Sequence, residues 1–151
     1  MSATGLDIFD KTLQSTHIWL DEIMQVVGPD RQVAWKVLST VLHKLRDRLP
    51  VDLAAHLGAE LPLLVRGAYY DQYEPAKQPV DFDTYAEFRA EIEQWLSDIR
   101  PVNPDDAIRA VFGLLSRHIA AGQIEKVKNA LPKGLRQFWA NVENPEHAGA
   151  A

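Results

Sequence analysis

Five histidines, three close-set carboxylate pairs and two arginines in matching settings are the residues of this chain that could do chemistry. His17, His43, His56, His118 and His147 are scattered, with no H-E-x-x-H and no i, i+4 pair. A zinc-type site needs three or four convergent ligands, and there is no cysteine to supply them. The histidines therefore read as ordinary surface or boundary residues. Paired carboxylates can act as general acid and base when held across a cleft. Asp105-Asp106, however, follows Asn103-Pro104, where first-turn acids face the positive end of a helix dipole. Asp21-Glu22 and Glu91/Glu93 border apolar stripes, where a wet helix face carries charge. Ser15, Ser39, Ser97 and Ser116 lack a G-x-S-x-G setting, and no phosphate-cradling glycine loop occurs. No catalytic, metal or cofactor-binding residue is assigned, and no cofactor is expected.

Two features are left over. Leu61-Pro62, Arg66 and Tyr69 return seventy positions later as Leu131-Pro132, Arg136 and Trp139. An Arg three residues before an aromatic on a helix can lie along the ring or satisfy carbonyls at a helix end. The structural role is the stronger reading, and a paired anion-binding or partner-binding spot is the alternative. The second feature is Tyr69-Tyr70-Asp71-Gln72-Tyr73, three tyrosines in five residues. Tyrosine offers contact area at low entropic cost, which suits recognition, but its body also pins loops onto a core. The candidate interaction surface is thus Arg66, Tyr69, Tyr70, Tyr73, Arg136 and Trp139. The locally basic Lys126, Lys128 and Lys133 read as a solvated face.

The elements that position these residues follow a period of 3.6. Ala34, Val37, Leu38, Val41, Leu42, Leu45 and Leu49 advance in steps of three and four, and Ala107, Ile108, Val111, Phe112, Leu115 and Ile119 do the same. Lys36, Lys44, Arg46 and Asp47 fall on the opposite, solvated face. A first helix is predicted over about Asp7–Val27, with the seam Phe9, Leu13, Thr16, Leu20, Ile23 and Val27, stopped by Gly28-Pro29. Asp30 caps a second helix that Pro50 breaks. Short helices follow, one ending at Gly58 and one with Pro62 in its first turn. Two prolines mark residues 71–83 as a linker. Thr84 with Glu87 is a capping box for a helix with the stripe Phe88, Ile92 and Trp95. Asn103 opens the next helix, Gly122 precedes a helix over Gln123–Ala130, and Pro132 opens a last turn and a half before a frayed tail from Asn141. No period-two run predicts a strand.

The net charge is −5, with seven basic against ten acidic residues in 1–75 and nine against eleven in 76–151. An evenly acidic chain is repelled by phosphate backbones and anionic membranes. No stretch is long and apolar enough for a membrane span, the N-terminus does not resemble a secretory signal, and the absence of cysteine suits a cytoplasmic protein.

From Val37-Leu38-Ser39-Thr40-Val41-Leu42-His43-Lys44-Leu45-Arg46-Asp47-Arg48-Leu49-Pro50 through Ala54-Ala55-His56-Leu57-Gly58 to Val65-Arg66-Gly67-Ala68-Tyr69-Tyr70, the chain resembles the bacterial domain of unknown function 2267 family. Ala107-Ile108-Arg109-Ala110-Val111-Phe112, Ile119-Ala120-Ala121-Gly122-Gln123-Ile124, Leu131-Pro132 and Trp139 carry the likeness through the second half. The resemblance implies an all-helical bacterial domain and transfers no catalytic residue. It also implies a Gly-Trp pair where this chain has Gln72-Tyr73.

The expectation is an all-α helical bundle forming a single domain over 1–151. It is built from two fused, pseudo-twofold-related repeats of about four helices each, about 7–70 and 84–140, joined by the linker 71–83. The expected function is a non-enzymatic interaction or regulatory module with a protein partner or self-association. The alternative is a small-molecule sensor or enzyme with a pocket between the repeats, and nucleic-acid binding is a weaker one.

Overall fold

Capping side chains stand where the sequence places them. The Asp30 carboxylate accepts hydrogen bonds from the backbone N–H groups of Gln32 and Val33. Asn103 does the same for Asp105 and Asp106, and the Thr84 hydroxyl accepts from the Glu87 N–H. Each satisfies donors that a helix start leaves orphaned. The computed structural model describes residues 3–81 and 84–145, and His147, residues 82–83 of the linker and the tail from 146 lie outside them. Among the described residues the chain forms eight α-helices and no strand. They are α1 (Asp7–Val27), α2 (Arg31–Arg48), α3 (Val51–Ala59), α4 (Leu63–Tyr70), α5 (Tyr85–Trp95), α6 (Pro104–His118), α7 (Ala121–Asn129) and α8 (Lys133–Glu143).

Several boundaries differ from the sequence expectation. Pro62 stands one position before its helix, as do Pro50 and Pro132, and their carbonyls accept the first helical N–H groups. α3 runs through Gly58 rather than stopping there. A Cβ at Gly58 would lie 2.4 Å from the Tyr70 hydroxyl, so this glycine serves close approach, not termination. Gly122 lies inside α7, and α8 continues past Asn141 to Glu143.

One cluster of apolar side chains takes members from all eight helices. The predicted stripes of α2 and α6 are buried in it, and Phe112 stacks on Trp139 with ring centroids 4.0 Å apart. α1 packs on α2 and α6, and α5 packs on the same two helices. Two stripe assignments need correction. Phe9 and Leu13 are exposed, because the α1 seam is covered only from Thr16 onward. Trp95 is 45% exposed, and Leu96 takes the buried place expected for it. Arg46, assigned to a wet face, is 2% exposed.

Candidate functional site

The predicted surface divides into residues used for structure and residues left outside. Tyr69 and Trp139 are fully buried, which corrects their assignment to a surface. Their rings fill the core, and each polar atom finds a partner there: the Tyr69 hydroxyl donates to the Ala54 carbonyl at 2.6 Å, and Trp139 Nε1 donates to the Ser116 hydroxyl at 2.8 Å. Burial pushes the Tyr69 phenol far above its ordinary value, so it stays neutral. Arg66 spreads its guanidinium over the carbonyls of Gly58, Ala59 and Leu61, at the end of α3. Arg136 is exposed and makes no such bonds among the described residues. Tyr70 lies edge-on to Tyr69, and its hydroxyl reaches toward the Ala55 carbonyl. Tyr73 lies against the Arg46 guanidinium, 4.7 Å from its ring centroid, and hydrogen-bonds Gln78. The tyrosines therefore pin the exit of α4 and the linker onto the body.

Arg46 is the anchor of that arrangement. Its guanidinium donates to the carbonyls of Tyr69 and Asp71 at 2.5 and 2.9 Å and to the Asp47 carboxylate at 2.9 Å. The Gln78 amide adds a bond to the Arg46 carbonyl, and the Val80 N–H donates to the Asp47 carbonyl. The chain turns here through Gln72, whose φ of 59° is in the left-handed region that favours glycine. A glycine at this station, which the family resemblance implies, would relieve that strain.

This turn forms one wall of a cleft of about 240 Å³. α2 supplies Thr40, His43, Lys44 and Asp47, the turn supplies Gln72 and Glu74, and α5 supplies Trp95. Thr40 and Lys44 are one turn apart on α2, so they share a face. Thr40 is only 4% exposed and makes no hydrogen bond among the described residues. The Lys44 ammonium lies 4.4 Å over the Trp95 ring and has no ion-pair partner among them. Burial pulls its pKa below the ordinary lysine value. His43 Nε2 is 2.6 Å from the Ala68 carbonyl, so that nitrogen carries the proton, and burial lowers its pKa. Asp47 is held by Arg46, and Glu74 pairs with Lys77 at 2.9 Å.

Two ion pairs tie the helices around this frame crosswise. Arg48, the last residue of α2, reaches Glu91 on α5 and lies over the Phe88 ring. His118, the last residue of α6, reaches Glu22 on α1 at 2.5 Å and lies against Trp19. Arg117 joins Glu22 at 2.7 Å. Burial alone would raise the Glu22 pKa, but the hydrogen bonds from His118 and Arg117 outweigh it and hold it low. His118 and Glu22 are thus structural partners rather than scattered surface charges. No group of three or more potential metal ligands converges among the described residues.

Residues 16–138 match the family described as Uncharacterized conserved protein (DUF2267). The chain belongs to this family. No curated protein matches the chain. The matched span contains every residue lining the cleft and begins at Thr16, the first buried residue of α1. Among the described residues, no helix is long and apolar enough to cross a membrane.

Sequence reasoning missed Thr40, Lys44 and Trp95, although a signal was available. Seventy positions on from Thr40 and Lys44 stand Ala110 and Leu114. Where the two halves otherwise agree in pattern, a polar residue facing an apolar counterpart marks a station that packing did not require.

Proposed function

We propose that this protein is a non-catalytic regulatory module that senses a small molecule in the cleft between α2, the 71–74 turn and α5. The observation that carries this reading is the pairing, on one cleft wall, of Thr40, which makes no hydrogen bond among the described residues, with Lys44, a cation that has no ion-pair partner among them. The hydroxyl and the ammonium both keep hydrogen-bonding capacity that a ligand in the cleft could use. Their counterparts on α6, Ala110 and Leu114, are buried and apolar, so the fold itself has no need of polarity at these stations. No hydrogen-bonded nucleophile–base pair faces the cleft among the described residues, which favours binding over catalysis. The net charge of −5 disfavours a nucleic acid as the ligand.

The same reading takes the chain as one domain of two units, about 7–70 and 84–140, packed about a pseudo-twofold axis, with the cleft between them. Three observations support it. α3 and α7 are nine residues each, with the same order of buried and exposed positions. α4 and α8 both start after a Leu-Pro pair. The Arg48–Glu91 and His118–Glu22 pairs each join the end of one unit's second helix to the first helix of the other.

A pool of small polar metabolites added to isotope-labelled protein tests the function. The expected result is resonance changes at Thr40, Lys44, Gln72 and the Trp95 indole. Unchanged cleft resonances in the folded protein would end the proposal.

A further inference from the structure

We infer that the cleft is built for a small zwitterion of the amino-acid class, its carboxylate on Lys44 and Thr40 and its ammonium toward Asp47 and Glu74. This rests on the reading of the cleft as a ligand site. The first ground is charge. Lys44 and Arg46 line the cleft together with Asp47 and with Glu74, which Lys77 pairs, so both signs of charge border it. A neutral molecule carrying both signs fits such a lining, whereas a dianionic phosphate would face two carboxylates. His43 does not alter the balance, because its Nε2 proton is committed to the Ala68 carbonyl and burial favours its neutral form.

The second ground is what each station still has to give. Thr40 lines the cleft, and its hydroxyl can both donate and accept. The Lys44 ammonium has three N–H donors and only an aromatic face beneath it. Asp47 lies three residues beyond Lys44, about one helical turn along α2, which brings an anionic station within reach of the same small molecule. Glu74, paired with Lys77, and Gln72 line the cleft from the turn after α4.

Size and shape give the third ground. The cleft's volume of about 240 Å³ falls below the roughly 300–1,000 Å³ of pockets that take drug-sized ligands. That is the scale of one amino acid, not of a nucleotide or a peptide. The exposed Trp95 indole provides a flat wall for the ligand's aliphatic or aromatic part, where Lys44 now lies.

The test is calorimetric titration of the purified full chain with each of the twenty common amino acids, with cleft resonances followed in parallel. For whichever amino acid binds, the N-acetyl form, which has no ammonium, and the primary amide, which has no carboxylate, are titrated too. Inorganic phosphate is a further arm. At least one amino acid should saturate with a Kd below about 1 mM. Thr40→Val and Lys44→Gln should each weaken it about tenfold or more while melting like the parent protein, as expected for losing a hydrogen bond to a charged group. Equal binding of the N-acetyl form or the amide overturns the zwitterion. If phosphate alone shifts Thr40 and Lys44, the ligand class falls and the cleft survives as a binding site. If no probe moves the cleft resonances, both fall.

Discussion

The α2 side and the α6 side of the molecule carry matching apolar stripes and are finished differently. On α2, Thr40 and Lys44 face an open cleft, and the helix ends in two buried arginines, Arg46 and Arg48. Seventy positions on, α6 has Ala110 and Leu114 in the core, then Ser116 and the partly exposed His118. Gly113, the counterpart of His43, lies beside Val142 in the last turn of α8, a turn that α4 lacks. One side is closed by packing. The other is left open and polar, and its loop is tied down by cations on backbone carbonyls. The proposed function takes the open polar side as the one that serves a use beyond stability.

The strongest way to break that comparison is to exchange residues across it. Leu114→Lys places an ammonium at a fully buried station, and the loss should be about 4–5 kcal/mol or outright unfolding in urea denaturation. Lys44→Leu should leave stability unchanged within about 0.5 kcal/mol or raise it, since it removes a partly desolvated charge, while abolishing ligand binding. If Leu114→Lys melts like the parent, the two sides are not differently built. The crosswise ion pairs give the next contrast. Arg48→Ala should cost about 2–4 kcal/mol, because the arginine side chain is 3% exposed and also donates to the Lys44 carbonyl. His118→Ala, at a side chain 30% exposed, should cost below about 1 kcal/mol. Equal losses would show that the pairs are interchangeable.

The two copies of the Leu-Pro motif sharpen the point at a smaller scale. Arg66→Ala removes three bonds to the end of α3 and should cost about 1–2 kcal/mol by the same denaturation assay. Arg136→Ala should stay within about 0.5 kcal/mol. A matching loss at Arg136 would restore the equivalence that the sequence suggests.

These cases also show what was legible beforehand. Helix positions, the Asp30, Thr84 and Asn103 caps and the α2 and α6 stripes follow from local rules, because each depends on residues within a turn or two. The fates of the arginines do not. Arg46 and Arg66 are spaced like solvated residues, yet both end on carbonyls that only the folded chain brings near. Glu22 and Glu91 are spaced like wet-face acids, and their partners lie 96 and 43 residues away. Trp95 sits on its predicted stripe but at the helix end, where the neighbouring Leu96 turns inward instead. The cleft is a product of such long-range placement, and only the mismatch at Thr40 and Lys44 hints at it in the sequence.

Acid should separate the two sides in sequence, with the smallest effects of the set. His43, on the α2 side, has a folded pKa below its unfolded value, because burial disfavours its charged form. Its contribution is therefore fully present above the ordinary histidine value, about 6.5, and is lost as the pH falls through the folded value. The hydrogen bond to the Ala68 carbonyl opposes this lowering, as do Asp47 and Asp71, while Arg46 adds to it. Glu22, on the α6 side, also has a lowered folded pKa, but its ordinary value lies near 4. Its contribution persists until the pH drops below that value, when the carboxylate that His118 and Arg117 hold becomes protonated. Denaturation midpoints measured from pH 8 to pH 3 should thus fall in two stages. His43→Gln should flatten the upper stage and leave the lower one, and Glu22→Gln should do the reverse. A single stage abolished by either substitution alone would mean that the two sides titrate as one network, and that the open side is not independent of the closed one.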